Sequence, residues 1–139
     1  MTDKQAAALT WLNRTYAITT KIEALKDEKR CLANDYQGFI KNIGAGRSSK
    51  ANVVEDRRVK LSSISQQIDR ETAKLQKERL KIKQVIESVP EEHYALLSFR
   101  YISLLSWQDI EGKLFISTST RKRRHNAALD SVALVLNRE

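Results

Sequence analysis

The chain has 139 residues, 30% of them charged, with one proline, four glycines and a formal charge of +8. That length excludes a large multidomain enzyme, and the scarcity of helix breakers favours an all-helical protein over a strand-and-turn fold. The positive balance favours phosphate polyanions or an anionic surface, because neutralising nucleic-acid phosphates releases counterions whatever the base sequence.

Thr2 and Gln5 have capping-box spacing, which starts a helix close to the beginning of the sequence. No apolar run there suits a signal peptide, and no stretch approaches the roughly 18 apolar residues needed to span a bilayer. Cys31 is the single cysteine, so an internal disulfide is excluded. Together these features predict a soluble chain in a reducing cytoplasm, without a membrane partner.

From Trp11, apolar residues recur every seven positions at Ile18, Leu25, Leu32 and Phe39, with Ile22, Tyr36 and Ile43 in an interrupted second column. This is the stripe of one long helix. Gly44 and Gly46 can stop it, and Ser48 or Ser49 can cap a second helix. That helix carries Val54, Leu61, Ile68, Leu75, Ile82 and Val89, supported by Ile64 and Val85. A short break between two long helices predicts an antiparallel hairpin with one register: Phe39 faces Val54, Leu32 faces Leu61, Leu25 faces Ile68, Ile18 faces Leu75 and Trp11 faces Ile82. The tip then falls at Gly46 and Arg47, and helices of about thirty residues give a rod about 45 Å long. Lys29, Arg57, Glu71 and Glu78 interrupt the inner columns, where they either set register or stay partly exposed. Val59, Ala73 and Leu80 form a sparser column that needs another partner. A homodimer or higher homo-oligomer is favoured over folding back of the C-terminal region, because a two-helix rod has little core of its own.

Pro90 suits the first turn of a new helix, with Glu91 and Glu92 near its positive end and Tyr94, Leu97, Tyr101 and Ile102 spaced to face a core. Ser106, three residues before Asp109, is an N-cap for a short helix bearing Trp107, Ile110 and Leu114. A break follows at Phe115 and Ile116. Ser117 then caps a helix that begins at Thr118, runs to about Leu136, and carries Arg121, Lys122, Arg123 and Arg124. The expected architecture is therefore all-α: residues 1–89 form an antiparallel helical hairpin, an oligomerisation stalk with its tip near 44–50, and residues 90–139 form a small helix-turn-helix domain.

A short helix, a tight turn and a longer basic helix are the parts that place a recognition helix in the DNA major groove. Arg121, Lys122, Arg123 and Arg124 can grip guanine edges or phosphates, Asn126 can pair with adenine, and His125 can touch phosphate. Ser106, Ser117, Thr118 and Ser119 supply hydroxyls at amide-rich helix starts. The competing reading is a solvated basic face. Arg47, Lys50, Arg57, Arg58 and Lys60, and Arg70, Lys74, Lys77, Lys81 and Lys83 along the second long helix, would add salt-dependent affinity without specificity.

The run Leu96, Leu97, Arg100, Tyr101, Ile102, then Ser106, Trp107, Ile110, Leu114, then Ser117, Thr120, Arg123, His125, Ala128 and Leu129 resembles sigma-factor region four. Over most of its length the chain resembles the phage late-gene transcription regulators of the RinA and ArpU type. The resemblance implies sequence-specific binding to phage promoter double-stranded DNA and activation of a late operon through host RNA polymerase, in the bacterial cytoplasm. Three positions depart from the pattern: Glu111 stands where a small alanine is usual, Leu104 where the turn often has glycine, and Arg121 where an apolar core residue is usual. A snorkelling Arg121 ranks behind Lys122, Arg123 and Asn126 as a DNA contact.

Two other readings use the same parts: a DNA-recognition subunit of phage packaging machinery, and a coiled-coil adaptor without specific DNA binding. An enzyme is not expected. His93 and His125 lack companions at metal-ligand spacing, the glycines near Arg47 do not form a phosphate loop, and adjacent carboxylates such as Glu91 and Glu92 diverge on a helix. No catalytic residue, metal or cofactor is assigned.

Overall fold

The computed structural model describes the backbone of residues 1–42 and 48–138 and the side chains of residues 1–38 and 53–138. Within them the protein is all-α, without a strand. Helix α1 spans Asp3–Leu12, α2 Arg14–Asn42, α3 Ser48–Ser88, α4 Tyr94–Leu97, α5 Trp107–Leu114 and α6 Thr118–Leu136. The hairpin tip expected at Gly46 and Arg47 lies outside the described residues, as do the side chains of Phe39, Ile43, Ser48 and Ser49.

The single first helix expected from Thr2 is divided at Asn13. Its start has the full capping box: Thr2 Oγ1 accepts from the Gln5 amide at 3.1 Å, and Gln5 Oε1 accepts from the Thr2 amide at 3.0 Å. One turn beyond Leu9, Arg14 Nε donates to the Trp11 carbonyl at 3.1 Å. At the break a side-chain donor thus joins the backbone amide of Asn13 on the Trp11 carbonyl.

Packing divides the chain into two compact units: Met1–Ala17 with Leu75–Glu139, and Ile18–Lys74. In the first unit α1 and the end of α3 share a core with α6. In the second unit Ile18, Ile22, Leu25 and Ile64 are buried, while Leu32, Leu61 and Ile68 are half-buried, as heptad columns require. Lys21 Nζ lies 3.0 Å from Glu71 Oε1, tying α2 to α3 one residue away from the expected register. Val59 and Leu80, on the sparser column, are both 57% exposed.

The core of the first unit joins Ala8 and Leu12 of α1, Ile82, Val85 and Ile86 of α3, Val89 just beyond it, Leu97 and Tyr101, and Ala128, Leu129, Val132 and Ala133 of α6. Full burial of each large aliphatic side chain contributes about 1.5–3 kcal/mol. Gln5 adds a polar tie across α1 and α6: its Nε2 donates to Asp130 Oδ1 at 2.9 Å and to the Asn126 carbonyl at 3.3 Å. Arg14 and Glu78, 2.8 Å apart, join the start of α2 to α3.

After Pro90 the backbone makes a 3₁₀ turn at Glu91–His93, the α4 turn, and a π-helical turn at Ser98–Ile102. The changing pitch corrects the expected core face: Tyr94 is 38% exposed, while Leu96, Leu97 and Tyr101 point inward. No helix among the described residues is long and apolar enough to cross a membrane.

Candidate nucleic-acid interface

Helices α5 and α6 start and stop where their sequence signals lie. Ser106 Oγ accepts from the Asp109 amide at 3.1 Å, and Ser117 Oγ accepts from the Thr120 amide at 3.2 Å while donating to Thr120 Oγ1. Both hydroxyls therefore serve as helix caps. Between the helices Phe115 adopts a left-handed backbone with φ 55° and is 94% exposed, and the Ile116 amide reaches back to the Glu111 carbonyl at 3.1 Å. This is the terminating geometry usually given to glycine. Leu104, the other position where glycine is usual, also has positive φ, at 56°.

The inner side of the first half of α6 is built around Trp107. The Arg121 guanidinium lies 4.5 Å from the indole centroid, that of Arg100 lies 4.4 Å away, and His125 meets the ring edge-on at 4.7 Å. Arg100 also donates to the Leu105 carbonyl at 3.0 Å, and its own carbonyl accepts from the Tyr16 hydroxyl at 2.8 Å. His125 is buried, with Nε2 2.6 Å from the Tyr101 hydroxyl. Burial, reinforced by the charges of Arg121 and Arg100, pushes its pKa down from 6.5 to about 4. Desolvation also pushes the Tyr101 hydroxyl far above its ordinary range. His125 is therefore a neutral core residue, turned away from the surface where a phosphate contact was expected.

Arg121 is likewise withdrawn. Its Nε donates to Glu111 Oε1 at 3.1 Å, and the other carboxylate oxygen accepts from Thr118 Oγ1 at 3.1 Å. Two of the three departures from the helix-turn-helix pattern are thus partners. The third tie, Gln5 to the second half of α6, has no signal in the local sequence.

The remaining candidates come together on one face. Ser119, Lys122, Arg123 and Asn126 are all exposed and fall at successive steps of three, one and three residues, which is one side of a helix. Thr118 and Arg124 are exposed beside them. Among the described residues none of Lys122, Arg123 and Arg124 has a carboxylate within ion-pair distance. The arrangement offers unpaired donors and cations on a helix whose opposite side is fixed. It presents hydrogen-bond and charge chemistry suited to phosphates and base edges, with Ser106 apart from it at the start of α5.

Residues 8–133 match the model of a family described as a protein of unknown function, DUF722, and the chain belongs to that family. Neither the curated proteins nor the solved structures contain a match.

Proposed function

We propose that this DUF722 member is a sequence-specific DNA-binding transcription regulator that reads double-stranded DNA with the outward face of α6. The observation that carries the reading is the face itself: Ser119, Lys122, Arg123 and Asn126 are exposed together on a capped helix, preceded by a capped short helix and a tight turn. The resemblance to sigma region four extends the reading to phage late promoters and host RNA polymerase, in the cytoplasm of the bacterial host. Exposure of Val59 and Leu80 favours a second copy as a further partner.

The test is selection of genomic fragments by the intact protein, followed by titration at several salt concentrations against the Lys122→Ala, Arg123→Ala, Asn126→Ala triple variant. The reading expects a fragment bound far better than random duplex, with the preference lost in the variant; each lost base contact removes about 1–3 kcal/mol of discrimination. A reporter fused to the selected fragment then changes expression. Weak, unselective binding that vanishes with salt in both proteins refutes the reading.

A further inference from the structure

We infer that Glu111 is a positioning residue that holds Arg121 away from nucleic-acid phosphates and thereby keeps the α6 face selective, an inference that rests on the DNA-binding reading. Arg121 opens a run of four consecutive cations, and among the described residues it alone of the four is paired with a carboxylate. The pair is largely enclosed, with side-chain exposures of 14% for Arg121 and 19% for Glu111. Glu111 receives Thr118 Oγ1 as well, so one carboxylate on α5 fixes two side chains in the first turn of α6.

The surroundings make this carboxylate necessary to the arrangement. Arg100 and Arg121 both lie within 4.5 Å of the Trp107 ring centroid, so two like charges share one aromatic side chain. With Glu111 present, one of them is neutralised. Without it, Arg121 is an unpaired and poorly solvated cation, and its long stem lets the charged end move out to water. There it joins Lys122 and Arg123, and a phosphate can receive it in any DNA sequence. Glu111 therefore suppresses a contact that adds affinity to all sites alike and dilutes discrimination.

The experiment compares the intact protein with Glu111→Ala, Arg121→Ala and the double variant, each titrated over a salt series against the selected fragment, random duplex and heparin. Glu111→Ala is expected to tighten random-duplex binding and steepen its log-log salt slope by about 0.9, the share of one additional phosphate. The preference for the selected fragment then falls several-fold. Arg121→Ala leaves the wild-type slope unchanged, and the double variant returns to it. Glu111→Gln, similar in size and uncharged, shows the same sense of change and replaces the alanine variant if that one does not fold. Equal steepening with and without Arg121 overturns the inference, since the carboxylate would then act only by its own repulsion of phosphate; no steepening at all overturns it too. Heparin separates the two readings: an Arg121-dependent gain on heparin with no DNA fragment selected sustains the hold on Arg121 and refutes DNA recognition.

Discussion

Acidification should destabilise the first unit through His125, in a pH window set by its burial. The ring is neutral in the folded protein, with its pKa lowered from 6.5 to about 4, whereas in the unfolded chain it titrates near 6.5. Between these values the unfolded state binds more protons, so stability rises with pH across the window and falls as pH drops from 6.5 towards 4. The 2.5-unit difference corresponds to about 3 kcal/mol at pH 4 and about 2 kcal/mol at pH 5. That is a large share of a typical stability of roughly 5–15 kcal/mol. Urea unfolding at pH 7, 6, 5 and 4, comparing wild type with His125→Gln, isolates the contribution. Carboxylate effects are common to both proteins, including that of Glu78, where burial tending to raise the pKa is outweighed by Arg14 and Lys81. The wild type should lose about 2 kcal/mol more than the variant on going from pH 7 to pH 5. Parallel pH profiles would refute the assignment of His125 as a buried neutral group held by Tyr101.

Two further substitutions probe how α6 is mounted. Gln5→Ala removes the side-chain half of the capping box and both bonds to α6, leaving the Gln5 amide on Thr2 Oγ1, and is expected to lower unfolding free energy by about 1–2 kcal/mol in the same urea assay; an unchanged midpoint would show that these side-chain bonds do not hold α1. Phe115→Gly relieves a left-handed backbone at a side chain exposed to 94%, at the expense of extra freedom in the unfolded chain. A net gain of a few tenths to about 1 kcal/mol is expected, and a loss would show that the ring has a partner in solution.

The local signals in the sequence were sufficient for helix ends. Thr2 with Gln5, Ser106 with Asp109 and Ser117 with Thr120 all act over three residues, and each cap is made. Heptad spacing was sufficient for the inner faces of α2 and α3, because a period of seven leaves one stripe unsolvated wherever the helix goes. Features that depend on distant residues were not legible. The break at Asn13 is local yet silent, because it leaves the apolar periodicity undisturbed. Gln5 was readable as half of a capping box, but its bond to Asp130 crosses most of the chain. His125 stands in a basic run, which by itself signals basic surface; only Tyr101 and Trp107, brought in from preceding elements, make it interior. Glu111 and Arg121 were each anomalous alone and became intelligible as a pair.

These contacts give the two halves of α6 different physical roles. The second half is anchored mainly by the burial of Ala128, Leu129, Val132 and Ala133, which is strong but weakly directional, with the Gln5 to Asp130 hydrogen bond beside it. The first half rests on directional contacts: Glu111 to Arg121 and Thr118, Tyr101 to His125, and the indole of Trp107 beneath Arg121 and against His125. An aliphatic anchor tolerates small rotations of the helix, whereas a hydrogen bond weakens steeply once its angle departs from linear. The end of α6 that bears Ser119, Lys122 and Arg123 is therefore fixed about the helix axis by directional contacts. A helix that merely displayed charge to solvent would need no such control, whereas one that sets donors against base edges requires it, since bidentate pairing depends on orientation as much as on proximity.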